Sequence, residues 1–109
     1  MLIFPLKKQW YEKIKSGEKT IEYREVKPYW RNRFISYFQL ESDEMIEVGD
    51  SYEYGKNNYR AVCKLRLGYS KQYMSARITK IKIVNGKDTD LAIDKPIYAI
   101  HLTDVKEEK

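Results

Sequence analysis

Ten residues, Ser16 to Glu25 (SGEKTIEYRE), set Lys19, Glu22 and Arg24 close together behind a glycine. On a β-strand, alternate residues share a face and sit about 6–7 Å apart. Thr20, Glu22 and Arg24 therefore line up, and the carboxylate and guanidinium each favour the charged form of the other. Glu22 is then the best candidate for a general base. Lys19 has the opposite parity and reaches that face only if the chain turns at its start, just after Gly17. As a catalytic amine, Lys19 would need its pKa lowered by burial or by a neighbouring cation such as Arg24. As a binding group it needs only its charge, which the nearby Glu18, Glu22 and Glu25 favour. The competing reading is an exposed Arg–Glu bridge from strand to helix, an arrangement that stabilises little.

Two further clusters combine rings, hydroxyls and cations. In PYWRNR, Tyr29 and Trp30 interleave with Arg31 and Arg33, so that a base could stack on a ring while guanidinium groups take phosphates. Trp30 has an equal claim to a core position. Tyr69, Ser70 and Lys71 stand at the end of a predicted strand, where a loop facing a cleft would bring a hydroxyl and a cation to a ligand; a plain turn explains them nearly as well. His101 alternates with Ile100 and Leu102 and reads as structural. Cys63 lies on an apolar strand face with no thiolate-stabilising neighbour, so it is not a nucleophile candidate. One cysteine and one histidine are too few for a Cys/His zinc site, and no metal or other cofactor is expected.

These groups need elements to position them. MLIFPL reads as a short buried strand. Leu6, Trp10 and Ile14 recur at four-residue spacing, predicting a helix that Gly17 ends in a left-handed cap. Ser16 to Glu25 follows as a strand, and KPYWRNRFISYF, with Pro28 at its first helical position, as a second helix. Strands are then predicted in MIEV, SYEY and YRAVCKLRL. The apolar set Met74, Ala76, Ile78 jumps phase to Ile81 and Ile83, which requires a β-bulge near Thr79 or Lys80. Asn85-Gly86 signals a tight turn, IYAIHLTDV a last strand, and KEEK a frayed tail. Residues 1–109 form a single domain of α+β class, with five or six mostly antiparallel strands curled into a small barrel and two helices in the N-terminal half.

The 109 residues are 42% hydrophobic and 34% charged, an ordinary globular composition. No apolar run approaches the roughly 20 residues needed to cross a bilayer, and MLIFPL is too short for a signal peptide, so a cytoplasmic protein with no membrane partner is expected. The net charge of +5 is unevenly distributed. Residues 39–54 carry six acids and no base, whereas residues 55–87 carry nine bases and no acid. Such an acid-free stretch suggests a surface held at positive potential for an anionic partner.

The pattern G-x-K-x-x-E-x-R directly after a helix (Gly17, Lys19, Glu22, Arg24) resembles the ASCH domain family of the PUA-like superfamily. The likeness continues through Glu22–Arg33, VGD at Val48–Asp50, LGYS at Leu67–Ser70, ARITKIKI and IYAIHL, and so covers nearly the whole chain. It implies a PUA-like β-barrel with a cleft between barrel and first helices, where the charged motif would bind RNA or a nucleotide-like molecule. Some relatives are amidohydrolases acting on acetylated cytidine, and others are reported to act on RNA. In the amidohydrolases a lysine is followed, three residues on, by a threonine; Lys19 keeps the lysine, but Glu22 stands in the threonine's place.

Two functions are therefore in play. A binding module would use Lys19, Arg24, Arg31, Arg33 and Lys71 for phosphate, rings for bases, and Glu22 as hydrogen-bond acceptor. A small hydrolase, acting on an acylated cytidine-type nucleoside or cleaving RNA, would use Glu22 to activate water, with Lys19 and a hydroxyl such as Thr20 or Ser70 at the oxyanion. A protein-interaction role for the acidic 39–54 segment has only that charge run behind it.

Overall fold

The computed structural model describes residues 2–38 and 62–108. In chain order the elements are β1 (Leu2–Leu6), α1 (Lys8–Lys15), β2 (Ile21–Glu25), α2 (Pro28–Phe38), β3 (Val62–Leu67), β4 (Tyr73–Asn85) and β5 (Pro96–Glu108). The strands form one curled, mixed sheet in the order β1-β3-β4-β5-β2, a half-barrel in an α+β fold. β1 runs parallel to β3, and the remaining neighbours are antiparallel. The strands expected in MIEV and SYEY, and the start of YRAVCKLRL, lie outside the described residues.

One face of the sheet is apolar. Phe4, Leu65, Met74, Ile78, Ile81 and Ile100 are all fully buried on it. Trp30, Phe34 and Phe38 of α2 and Tyr11 and Ile14 of α1 pack into the same core. Pro28 opens α2 as expected, and the i, i+4 spacing of those three rings gives the helix one aromatic stripe, worth roughly 1.5–3 kcal/mol per fully buried side chain. Phe4 stacks on Trp30 at 4.9 Å between centroids, and Phe34 meets Tyr98 edge-on at 5.0 Å.

Four expectations need correction. The core stripe of α1 is Tyr11 with Ile14, not Leu6, Trp10 and Ile14. Leu6 belongs to β1, and Trp10, about 100° round the helix from Tyr11, is only half-buried. β2 begins at Ile21 rather than Ser16, because the chain after Gly17 (φ 85°) folds back on the helix end: the amides of Gly17 and Lys19 donate to the carbonyls of Ile14 (3.1 Å) and Lys13 (3.0 Å). Asn85-Gly86 is not a two-residue hairpin turn. Gly86 starts a 3₁₀ turn, Gly86–Asp88, at the root of a longer loop that runs to β5. Lys106 to Glu108 do not fray but pair with Ser75 to Tyr73.

The phase jump in β4 is a bulge where the spacing puts it: register shifts between Ile78 and Lys80, leaving Thr79 as the extra residue. Ile81 stays in the core, whereas Ile83 has passed the core's edge and is exposed. A second shift, opposite Ala76, places Asp104 at φ 53°, a left-handed conformation that aspartate tolerates.

Candidate functional site

β2 pairs with β5 so that Glu22 stands opposite Ile100 and Arg24 opposite Tyr98. Paired residues share a face, and both partners are core residues, so this register turns the carboxylate and the guanidinium inward. The core stops short of them. Between β2, the end of β1, the start of α1 and the loop before β5 lies an open cleft of about 740 Å³ whose wall includes Glu22, Arg24, Trp10, Tyr23, Trp30 and Asp90.

Glu22 is the cleft's organising group, 6% exposed. Its Oε2 accepts from Arg24 Nη2 at 2.8 Å, and its Oε1 accepts from the Tyr23 amide at 3.1 Å and lies 3.8 Å from Lys19 Nζ. Arg24 also donates to the Pro5 carbonyl at 2.7 Å and rests on the rings of Phe4 and Trp30, 5.5 and 5.1 Å from their centroids. Its buried Nε has no hydrogen-bond partner among the described residues. A guanidinium between rings and carboxylate is held in one orientation by two different forces.

Lys19, just after the turn at Gly17, lines not this cleft but the smaller depression beside it, which shares Trp10, Tyr23 and Asp90 with the cleft. Its ammonium pairs with Asp90 and lies near Glu22, with the rings of Trp10 and Tyr23 at 5.4 and 4.7 Å. Burial, and then the charge of Asp90, push the Tyr23 hydroxyl above its ordinary pKa. Lys7 and Lys27 stand at the cleft's edge; Lys27 pairs with Glu25 at 2.8 Å and holds that exposed carboxyl below its usual range.

Asp90 is the residue that the sequence reading missed. The loop presenting it is tied back on itself. Gly86 donates to Lys95 O at 2.8 Å, Ile93 donates to Gly86 O at 3.2 Å, and the Asn85 side chain joins Asp94 at 2.8 Å. Gly86 is required here by close approach, since a Cβ would lie 2.8 Å from the Ile93 carbonyl oxygen. The one available signal was that Asp88 and Asp90 are the first acids after the acid-free block.

The other candidates are dispersed. Thr20 is exposed beside a smaller depression of about 310 Å³ shared with Lys19 and Trp10, and only its carbonyl is engaged, accepting from Leu102 at 2.9 Å. Trp30 combines both of its expected roles, buried against Phe4 yet lining the cleft. Arg31 is half-buried on α2 and is not among the cleft-lining residues. Arg33 lies over Tyr29 at 3.5 Å beside a separate depression with Leu2, Ile3 and Tyr37. Tyr69, Ser70 and Lys71 form the exposed β3–β4 turn and line neither cleft beside β2; the Ser70 hydroxyl is occupied, donating to Leu67 O at 2.6 Å. Of the acid-free block, expected to present a positive surface to an anionic partner, no described residue lines the cleft.

Cys63 is sealed in the core, where burial, with Glu22 adding to it, pushes its thiol up to about 12. His101 sits in mid-strand on β5, opposite Ile21 and Lys80. Among the described residues no group of three or more His, Cys, Asp or Glu side chains is placed to hold a metal ion, and no helix is long and apolar enough to cross a membrane. No protein-family model, curated protein or solved structure matches this chain.

Proposed function

We propose that the chain is an ASCH-type, PUA-like module whose cleft binds RNA or a nucleotide-like molecule through its base. The observation that supports this most is the buried Glu22 carboxylate, held between Lys19 and Arg24 on a wall that also carries Trp10, Tyr23 and Trp30. A planar heterocycle with donors on its edge matches that wall: rings for its faces, and a fixed acceptor for an exocyclic amino group. Lys19 and Arg24 already have carboxylate partners, so the cleft takes the base, and a phosphate falls to Lys7 at its edge.

The chain's only two tryptophans, Trp10 and Trp30, both line the cleft, so their fluorescence reports on it directly. Titration with nucleosides and mononucleotides should quench it saturably, and Trp10→Ala should weaken binding roughly ten-fold, as loss of one stacking ring does. If no nucleoside or nucleotide changes the signal up to millimolar concentration, the reading is wrong.

A second reading rests on Lys19, whose ammonium lies beside two carboxylates, Asp90 and Glu22, in the depression adjoining the cleft. In a hydrolase of acylated cytidines, Glu22 would take a proton from water as its oxygen attacks the acyl carbonyl. Lys19 would stabilise the oxyanion before the amine leaves with a proton. Turnover of N-acylcytidine, abolished in Glu22→Gln, would establish it. No turnover, or turnover undiminished in that variant, would remove it.

A further inference from the structure

We propose that the outer face of β3, β4 and β5 is a second binding surface, which takes the phosphate backbone of single-stranded RNA. The proposal extends the cleft reading to another part of the molecule and rests on it only for the choice of RNA over DNA.

Alternation decides where the acid-free block goes. Cys63 and Leu65 on β3, and Met74, Ala76, Ile78 and Ile81 on β4, point into the core, so Lys64, Arg66, Lys80 and Lys82 point away from it. The register assembles them into rows across the sheet. Lys64 stands opposite Ser75, which stands opposite Lys106; Arg66 stands opposite Tyr73; Lys82 stands opposite Ala99, which stands opposite Tyr23. The last row ends on Tyr23, which lines the cleft, but passes through Ala99, which is buried, so the cations stop short of the cleft's edge.

Among the described residues, none of Lys64, Arg66, Lys80, Lys82 and Lys106 forms an ion pair. Of the acids on these strands, Glu108 faces the same side at the end of the sheet, where it accepts from the Ser75 hydroxyl at 2.8 Å. Cations on one strand repeat about every 6–7 Å, and adjacent strands lie about 4.8 Å apart. No two of these cations stand directly opposite each other, so they form a sparse lattice of positive charge whose mutual repulsion a polyanion relieves.

Rings at one end of the face favour a single strand over a duplex, a membrane or an acidic protein. Tyr73 carries Lys64 Nζ at 4.3 Å from its centroid, and Tyr69, 87% exposed, projects from the adjoining turn beside Lys71. Cations tracking a backbone with aromatic rings for splayed bases are the arrangement by which proteins hold single strands. A sheet face from which, among the described residues, no helix projects suits unstacked bases better than a duplex groove. Tyr69, Ser70 and Lys71, which have no place at the cleft, belong here.

The test is fluorescence anisotropy with a labelled 12-nucleotide oligouridylate over a range of salt, on the whole chain. Removing Lys80 and Lys82 together (Lys80→Ala with Lys82→Ala) should reduce the slope of log K against log salt by about 1.4, or about 0.7 per lost phosphate contact. Tyr69→Ala should weaken binding several-fold and leave the slope alone. Nucleoside quenching of the tryptophans should be unchanged in the Lys80/Lys82 variant, which separates this surface from the cleft. An unchanged slope in that variant, with melting temperature preserved, would overturn the proposal. So would outer-face-dependent binding to phosphatidylserine vesicles without binding to the 12-mer. Equal affinity for a 12-nucleotide oligothymidylate would overturn the restriction to RNA.

Discussion

At the cleft and the depression adjoining it each cation beside Glu22 has a carboxylate: Arg24 has Glu22, and Lys19 has Asp90 with Glu22 nearby. On the opposite face of the same sheet, Lys64, Arg66, Lys80 and Lys82 stand in rows without ion pairs among the described residues. The buried carboxylate of Glu22 accounts for the difference, since the cations on both faces are for the most part half-buried. A charge taken out of water must be matched locally, whereas an exposed one is matched by solvent. Under the two binding proposals, the matched wall would recognise by shape and hydrogen bonding, and the unmatched face by long-range attraction.

The sharpest way to break this comparison is to unmatch the wall. Glu22→Gln leaves Arg24 in place on its rings, with only the Pro5 carbonyl and a neutral amide. Removing one partner of a buried pair costs about 3–5 kcal/mol. The lower end is expected here, because the guanidinium side chain is 21% exposed to the cleft. Urea unfolding should therefore show a loss of about 3 kcal/mol, against less than about 0.5 kcal/mol for Lys80→Ala on the outer face. Similar losses for the two variants would erase the distinction. Adding Arg24→Met to Glu22→Gln should recover part of the loss, since a cation with no anion is then gone.

A second, smaller effect comes through the loop that supplies Asp90. Gly86→Ala drives a Cβ against the Ile93 carbonyl and to 3.0 Å from Ile97 Cγ2. Overpacking of this kind costs roughly 1–3 kcal/mol. If the loop holds Asp90 on Lys19, the same variant should change the tryptophan fluorescence of the unliganded protein, because Lys19 contacts the Trp10 ring. A stability loss with an unaltered spectrum would show that the loop matters to the fold and not to the cleft.

Pairing without burial is a third, intermediate case. Glu107 accepts from Gln72 Nε2 (3.2 Å) and the Tyr11 hydroxyl (3.1 Å) and pairs with Lys15 (3.4 Å), and these contacts hold its carboxyl below the usual range. A carboxyl depressed in the folded state contributes stability that is complete above its unfolded pKa. That contribution is lost as pH falls through the lower, folded value. Unfolding curves at pH 7 and pH 3 should differ less in Glu107→Gln than in the parent protein. If acid destabilises both alike, the contacts of Glu107 contribute nothing measurable.

How far the sequence foretells all this depends on whether a signal is local. Strand parity puts Glu22 and Arg24 on one face, whereas their inward turn is set by the register against Ile100 and Tyr98; the bulge at Thr79 follows from one break in an apolar alternation. The aromatic stripe of α2 is written at four-residue spacing. Asp90 is different: it meets Lys19 from 71 residues away, through a loop whose shape depends on Gly86 packing against Ile93 and Ile97. No spacing rule encodes that. The basic block is legible both in composition and in side, since its cations alternate with an apolar set along the strands. Read residue by residue, the burial of Cys63, Leu65, Met74 and Ile78 already sends the intervening cations outward.

The smallest effect isolates the outer face from any ligand. Exposed like charges within a Debye length repel, and salt screens them; a buried, contacting pair is screened far less. Raising NaCl from 0.05 to 1 M should therefore stabilise the protein slightly, by about a few tenths of a kcal/mol beyond the general effect of salt on apolar burial. That general effect is common to all variants, so the informative quantity is a difference. In the Lys80→Ala, Lys82→Ala double variant the increment should shrink, because two members of the lattice are missing. In Glu22→Gln it should persist, because the outer face is untouched. An increment that vanishes in the cleft variant and survives in the outer-face variant would reverse the assignment of matched and unmatched charge on which both binding proposals depend.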